Sequence, residues 1–298
     1  MSDILIRDLQ IQAEASPKAE SVPSTARRRR VVTNALKHVW LALSALVLLL
    51  ALGFALFPSV FASGDPLVGV PADKLQAPST AHWFGTDNIG RDVFTRVVHG
   101  SGLSLTATLL AVGIALVVGS LLGLISGAVG GLVDAVLMRI VDVLLSIPTL
   151  LLSLALVTAL GFGTVNVAIA VGVTLIANFA RVMRSEVLRV RRSLYVEAAY
   201  ASGVRWFDVF RRHILRNSYG PVIALAAVEF GMAVLAVSAL SFLGFGAVPP
   251  TPEWGSLISE GRNFLATAWW MTTLPGLVIV AVVLSAHRLG HALERRSE

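Results

Sequence analysis

Long apolar runs separated by short polar segments dominate the hydrophobic pattern of this sequence. About 20 apolar helical residues cross a bilayer core, and residues 40–61 form a run of 22 without a charge. Comparable runs cover 97–133, 144–180, 220–245 and 263–286, of which only 220–245 contains a charge. Gly161-Phe162-Gly163 marks a turn inside the third of these five runs. The pattern predicts six transmembrane helices, near 40–61, 103–125, 135–159, 164–185, 220–245 and 269–288.

The composition excludes a simple soluble globule. Apolar residues make up 55% of the chain and charged residues 14%, whereas soluble domains carry about 25% charged residues. There is no cysteine, which excludes a disulfide framework and thiolate metal or redox sites. None of the three lysines lies in a G-x-x-x-x-G-K-[ST] loop, so we expect no nucleotide-binding P-loop in this chain.

The distribution of basic residues predicts the orientation. With the N-terminus inside, 20 of the 24 lysines and arginines fall on the cytoplasmic side, as the positive-inside rule requires. We therefore predict an all-α polytopic membrane protein with both termini in the cytoplasm. The basic excess follows from this orientation and from contact with membrane lipid, and it does not indicate a nucleic-acid partner.

These helices divide the chain into five parts. The predicted parts are a cytoplasmic N-terminal tail (1–39), the first transmembrane helix (40–61), an outer segment (62–100), a five-helix core (101–290) with a cytoplasmic loop at 186–219, and a cytoplasmic tail (291–298). The cluster Arg27 to Arg30 in the first part is typical of a topogenic, lipid-facing segment.

Small residues and a proline mark the second and third helices. Gly119, Gly123, Gly127 and Gly131 recur every four residues and let another helix approach closely. That helix could belong to a partner subunit or to the same bundle. Pro148 predicts a break in the third helix.

A few polar residues occur near or within the apolar runs. Arg139 and Asp142 are spaced to pair on one helical face. Glu229 lies inside the fifth span, and an intramembrane carboxylate lines a pathway or makes an interhelical hydrogen bond. His287 and His291 are four residues apart without a third ligand nearby, so we predict no metal site and no cofactor.

The outer segment contains a charged motif followed by apolar positions at helical spacing. Asp87 is a plausible N-cap. The pattern predicts an amphipathic helix on the membrane surface, ended by Gly100, with Arg91, Asp92 and Arg96 on its polar side. The apolar side would carry Ile89, Val93, Phe94, Val97 and Val98.

The cytoplasmic loop predicts a short helix, a break at Gly203 and a second, amphipathic helix. Trp206, Phe207, Phe210 and Ile214 form an apolar stripe on the second helix, flanked by arginines. Such an element can insert into a groove of a soluble partner or rest on anionic lipid headgroups, and the spacing alone favours neither.

This loop resembles the E-A-A---G motif of bacterial ATP-binding-cassette importer permeases. Glu197, Ala198, Ala199 and Gly203 occupy the motif positions, and Ile214-Leu215 match its I-L end. In that family the loop docks on the ATPase subunit and transmits its closure to the membrane bundle. The family usually has a proline where this chain has Arg216, so the helix stop after Leu215 is in question.

Further motifs resemble the C-type subunit of the dipeptide, oligopeptide and nickel branch. The first is G-T-D-x-x-G-R-D, with Gly85, Thr86, Asp87, Gly90, Arg91 and Asp92. The others are Leu240-Ser241-Phe242-Leu243-Gly244, the proline-rich run 249–255 and Glu260-Gly261-Arg262. The resemblance covers roughly 75–290 and implies the type I importer permease fold with six transmembrane helices.

The resemblance also implies partners and a mechanism. A homologous permease subunit would complete the pathway as a heterodimer, two cytoplasmic ATPases would drive alternating access, and an external binding protein would deliver substrate. The chain itself would carry no catalytic residue. Di- or oligopeptides are the implied substrates, with nickel, glutathione or opines as alternatives. An ion-coupled secondary transporter using Glu229 is a further alternative that the residues leave open.

Overall fold

The structure is a computed structural model that describes residues 24–297. The chain divides into two units, 1–42 and 43–298; within the first, the described residues are helical. Predictions for residues 1–23, and for the side chains of Arg27 to Arg30, lie outside the described part. Across 24–297 the secondary structure is helical, apart from an isolated bridge between Thr86 and Asp92.

Eleven α-helices are described between residues 24 and 297. They are α1 (Ser24–Leu56), α2 (Pro58–Phe61), α3 (Val93–Val129), α4 (Gly131–Ser146), α5 (Thr149–Leu160), α6 (Thr164–Arg191), α7 (Leu194–Ala201), α8 (Trp206–Val209), α9 (Arg216–Phe242), α10 (Trp254–Gly261) and α11 (Trp270–Ser297). A π-helical stretch, Phe210–Leu215, joins α8 to α9, and single 3₁₀ turns lie at Pro71–Asp73 and Arg262–Phe264.

Most predicted spans correspond to one long apolar helix. Five segments within the described residues are long and apolar enough to cross a membrane, and the pair α4–α5 makes a sixth if it counts as one span. This pair is bent by 96° around Ile147 and Pro148. The proline cannot donate a backbone hydrogen bond, and the break predicted at Pro148 is confirmed.

The separate amphipathic helix predicted before Gly100 is wrong. Asp92, rather than Asp87, caps α3, its side chain accepting a hydrogen bond from Thr95 N at 2.7 Å. From there α3 continues through Gly100 to Val129. The glycine permits a close approach instead of a stop, because a methyl group there would lie 3.2 Å from the backbone of Pro252.

The first span is shorter than predicted. Helix α1 ends at Leu56, and Pro58 starts the separate turn α2. Proline fits the first position of a helix, and the backbone leaves the helical conformation at Phe57 (φ −133°, ψ 54°) before Pro58 begins the new turn. At its other end α1 begins at Ser24, well before the predicted residue 40.

Helices α3 and α6 are packed almost backbone to backbone. A methyl group on Gly119 would lie 2.5 Å from the carbonyl oxygen of Ile176, and one on Gly127 would lie 2.8 Å from Cβ of Val187. The glycine ridge of α3, Gly119, Gly123 and Gly127, thus packs inside this chain rather than against a partner. Because the contacts advance along both helices together, α3 and α6 run parallel.

The ion pairs at the helix ends are not the ones that the sequence predicts. Asp142 pairs with Arg181 of α6 at 2.8 Å rather than with Arg139. Asp134 forms a two-pronged ion pair with Arg184, with an Nη2–Oδ2 distance of 2.6 Å. Both pairs connect α4 to α6. The Nε2 atoms of His287 and His291 lie 3.1 Å apart, and within 24–297 no three metal-ligating side chains converge.

Candidate docking element and charged clusters

The loop predicted at 186–219 folds as the expected helix, glycine break and second helix. Helix α7 carries Glu197 and Ala198 exposed and Ala199 half-buried. Val196 of α7 and Val209 of α8 are fully buried in the main apolar core. These two valines fix the position of the helical pair, which we call the docking element (residues 194–209).

Gly203 makes the turn between the two helices possible. Its φ is +81°, a conformation that costs side-chain-bearing residues about 1–2 kcal/mol. Backbone bonds from Gly203 N to Tyr200 O and from Val204 N to Ala199 O close the end of α7. No other atom lies within 4 Å of a methyl group built on Gly203, so the backbone conformation alone requires glycine.

Large apolar side chains of the docking element are exposed on the protein surface. Leu194 is 82% exposed and Phe207 is 62% exposed. Trp206 is exposed too, although its ring stacks on Phe210 with 5.3 Å between centroids. Exposed apolar patches of this kind mark interaction surfaces.

The residues after α8 lead without a stop into α9. Ile214 is buried and Leu215 exposed, and both belong to the π-helical stretch that continues into Arg216–Phe242. The backbone remains helical at Arg216 (φ −61°, ψ −31°). The helix stop expected from the family pattern is therefore absent at this position, and the docking element is connected to α9 by continuous helix.

The G-T-D-x-x-G-R-D motif forms a tight turn in front of α3. Gly85 and Gly90 both have positive φ, +70° and +85°, which explains the two glycines. The hydroxyl of Thr86 accepts from Gln76 N and donates to Asp73 O. One oxygen of Asp87 accepts from Ile89 N and Arg91 N, both at 2.9 Å.

Four charged side chains connect this turn to α10, which is distant in the sequence. Arg91 Nε lies 2.6 Å and Arg96 Nη1 3.1 Å from Asp87 Oδ2. The same two arginines bind Glu260 of α10, at 2.9 and 2.5 Å. We call Asp87, Arg91, Arg96 and Glu260 the four-charge cluster; it is formally neutral, and Asp87 and Arg96 are each 1% exposed.

The sequence predicts Arg91 and Arg96 on the polar side of a surface helix, and that prediction is wrong. Glu260 entered the sequence analysis only as part of a motif. The sequence offered no local signal for Glu260, because Asp87 and Asp92 already balance Arg91 and Arg96 along the chain and Glu260 lies 164 positions after Arg96.

Two further residues of the 246–268 segment were missed. The carboxylate of Glu253 is buried and accepts from Ser241 Oγ at 2.6 Å and Ala247 N at 2.8 Å. Burial raises the pKa of Glu253, and the two hydrogen bonds partly oppose that rise. Trp254 donates from its indole to Val97 O at 3.1 Å. Together these side chains attach the segment to α3 and α9.

Glu229 lies inside α9 and contacts α6. It is 8% exposed, and Asn178 Nδ2 donates to its Oε1 at 2.9 Å. The structure thus gives this carboxylate an interhelical hydrogen bond between two core helices.

Five apolar helices long enough to cross a membrane, with the bent pair α4–α5 as a sixth candidate span within the described residues, place the chain in the class of polytopic membrane proteins. Residues 119–298 match the family model of the binding-protein-dependent transport system inner membrane component. The chain belongs to this family and is a multi-pass protein of the inner membrane.

Relatives cover almost the whole chain. It is 38% identical to the probable D,D-dipeptide transport system permease protein DdpC of Escherichia coli K12, over 92% of this chain and 95% of the relative. It is also 38% identical to the dipeptide permease DppC of Alkalihalophilus pseudofirmus, over 93% and 92%. The glutathione permease GsiD of Pectobacterium atrosepticum is 36% identical over 86% and 85%.

A solved structure supports the fold. A chain of the MetNI methionine ABC transporter, solved in inward-facing conformations, superposes with a TM-score of 0.56 at 17% identity, over 68% of this chain and 96% of that chain. At this identity the likeness concerns the fold alone. It confirms the all-helical permease fold expected from the sequence.

Proposed function

We propose that this chain is one of two homologous permease subunits of an ATP-driven importer of di- or oligopeptides. The observation that carries the proposal is end-to-end similarity, at 38% identity, to two permeases named for dipeptide transport. An external binding protein delivers the peptide, and two cytoplasmic ATPases supply the energy. The family model describes the inner membrane component of a transport system. In this proposal the chain hydrolyses no ATP.

The docking element is the proposed contact with the ATPases. In support, its Leu194, Trp206 and Phe207 are exposed while Val196 and Val209 anchor it in the core. A surface of this kind transmits force only if its base is rigid, and the buried valines provide that base. Glu197, Ala198, Ala199 and Gly203 carry the motif, and Ile214 and Leu215 connect it to α9.

The proposed topology has six spans with both termini in the cytoplasm. Parallel packing of α3 and α6 supports it, because the chain between two parallel membrane helices must return across the bilayer. The return path consists of α4 and α5, whose bend at Pro148 is then a break within one span. Basic residues concentrated on one side support the orientation.

Alternating access is the proposed mechanism. ATP-driven closure of the ATPases would favour one of two bundle arrangements through a difference in binding free energy. Asn178 holding Glu229 favours an interhelical role for that carboxylate over an ion-coupling role. Glutathione is a second candidate substrate, because GsiD proteins are among the relatives. Nickel and opines remain alternatives from the sequence motifs.

The test compares two glycines that both have positive φ. Gly203→Ala strains the docking element, whereas Gly161→Ala strains a turn outside it (φ +93°, ψ 179°), in a region that is essentially restricted to glycine. With a penalty of about 1–2 kcal/mol, we expect roughly tenfold lower ATP-dependent dipeptide uptake for Gly203→Ala and near-normal uptake for Gly161→Ala. Glu197→Gln should also lower uptake. All variants should remain in the membrane at normal levels.

The measurement is uptake of a labelled dipeptide by proteoliposomes containing the complete transporter and its binding protein. Full activity of both Gly203→Ala and Glu197→Gln would contradict the docking role. Transport by this chain alone, without nucleotide, would contradict the proposed function as a whole.

A further inference from the structure

An open cavity of about 330 Å³ lies between the end of the first span and the start of α3. Its wall is built by residues that follow α1, by the turn at 81–83 and by the first turn of α3. The lining residues include Phe61, Ser63, His82, Trp83, Asp92 and Phe94. Neither the docking element nor the four-charge cluster contributes to it.

Aromatic rings form one side of this cavity. The rings of Trp83 and Phe94 are 5.0 Å apart between centroids and tilted by 53°. Phe61 completes the lining and is connected to Phe94 through Phe54, which makes edge contacts with both at 4.9 and 6.1 Å. The faces of such rings attract cations.

A carboxylate also lines the cavity. Asp92 accepts one hydrogen bond on each oxygen, from Thr95 N at 2.7 Å and from His82 Nδ1 at 2.9 Å. Each carboxylate oxygen has two acceptor positions, so both oxygens retain one for a ligand. The Asp92 side chain is 24% exposed.

The two arginines closest to Asp92 along the chain do not oppose a cation. Arg91 and Arg96 are neutralised by Asp87 and Glu260 in the four-charge cluster. The partial positive charge at the start of α3 is met by Asp92 itself, which caps that helix.

We propose that this cavity binds the primary ammonium of an aminophospholipid headgroup. Three aromatic rings and one carboxylate recognise an ammonium ion, whose N–H groups donate to Asp92 while its charge faces the rings. The location favours a lipid, because α1 ends its apolar span at Leu56 and the cavity lining begins at Phe61. Phe57 and Val60, 61% and 79% exposed, lie between them and suit contact with acyl chains.

The test is lipid retention by the full-length purified protein, measured by native mass spectrometry with phosphatidylethanolamine and phosphatidylglycerol of identical acyl chains. Trp83→Ala removes one ring. Asp92→Asn removes the charge but keeps a residue able to cap α3. Trp269→Ala is the matched control, because Trp269 is 51% exposed, close to the 65% of Trp83, and does not line the cavity.

We expect phosphatidylethanolamine affinity to fall roughly three- to tenfold in Trp83→Ala and Asp92→Asn. The control should bind like the unmodified protein, and phosphatidylglycerol binding should not change. Equal retention of both lipids by the unmodified protein would overturn the proposal. An equal loss of phosphatidylethanolamine affinity in Trp269→Ala would also overturn it, because it would indicate nonspecific contact between lipid and interfacial aromatic residues. Competition by millimolar glycylglycine without selective lipid binding would assign the ammonium to a free peptide and overturn the lipid assignment.

Discussion

Individual charged residues in this chain have very different energetic roles. Three members of the four-charge cluster, Asp87, Arg91 and Arg96, are buried, and the cluster connects residues 87–96 with residue 260. The Arg181–Asp142 pair is exposed, with each side chain more than half accessible. Removing one partner of a buried ion pair costs about 3–5 kcal/mol, because it leaves an uncompensated charge. An exposed pair contributes about 0–1 kcal/mol.

Arg96→Met should therefore destabilise the protein strongly and Arg181→Met hardly at all. We expect a loss of about 3–5 kcal/mol for the first and below about 1 kcal/mol for the second. Thermal unfolding of the purified variants in detergent gives the comparison. Equal, small losses would show that the four-charge cluster does not hold α10 onto α3.

The buried carboxyl of Glu253 predicts a pH effect. Since burial raises the pKa of Glu253 above its ordinary 4.5, the folded state holds this proton to a higher pH than the unfolded state does. The contribution of this group to stability is greatest below pH 4.5 and decreases as the pH rises to the folded-state pKa.

Glu253→Gln should remove this contribution to the pH dependence. The unfolding temperature of the unmodified protein, relative to that of the variant, should fall as the pH rises from 4.5 to the folded-state pKa. Asp142→Asn, at an exposed carboxylate, is the control and should leave the profile unchanged. A constant difference between unmodified protein and Glu253→Gln across this range would contradict the assignment.

At the scale of elements, apolar runs predicted where helices exist better than where they end. The spans at 164–185 and 269–288 correspond to α6 and α11, because uninterrupted apolar residues leave few other structures in a bilayer. The start of α3 was mispredicted, since a glycine at position 100 signals a stop locally but serves a contact with residue 252 that is 152 positions away. Such long-range contacts leave no local pattern.

The α3–α6 contact allows a matched glycine comparison. Gly123→Ala would place a methyl group against the carbonyl of Ala180, whereas Gly113, on the same helix, has no atom within 4 Å of the added methyl. Overpacking costs about 1–3 kcal/mol, and alanine in an open helix position gains about 1 kcal/mol over glycine. We expect the two variants to shift the unfolding temperature in opposite directions, and a shift of equal sign would contradict tight packing.

For the whole molecule, the docking motif and the family could be predicted from the sequence, but the assembly of the four-charge cluster could not. Glu197 to Gly203 are contiguous, so their pattern is visible in one stretch. Asp87 and Glu260 share Arg91 and Arg96 only because α10 folds against the beginning of α3. The interhelical bond of Glu229 likewise depends on Asn178, 51 positions earlier.

The proposed topology can be measured directly because the chain has no cysteine. Single-cysteine variants at Ser79 and Phe162 should react with a membrane-impermeant maleimide from outside intact cells or spheroplasts. A variant at Ser202, in the docking element's turn, should react only after permeabilisation. Protection of Phe162→Cys in intact cells, together with labelling of Ser202→Cys from outside, would show that α4–α5 does not cross the membrane.

The near-contact of the α3 and α6 backbones has a mechanical consequence. At Gly119, Gly123 and Gly127, no side chain of α3 lies between the two helices, which limits how far the helices can slide past each other. Helix α6 ends at Arg191 and α7 begins at Leu194. A displacement of the docking element is therefore transmitted to the packed α3–α6 pair, which is stiffer than a single helix. Spin labels on α3 and α6 should keep a constant separation in every nucleotide state of the transporter, whatever the remaining helices do.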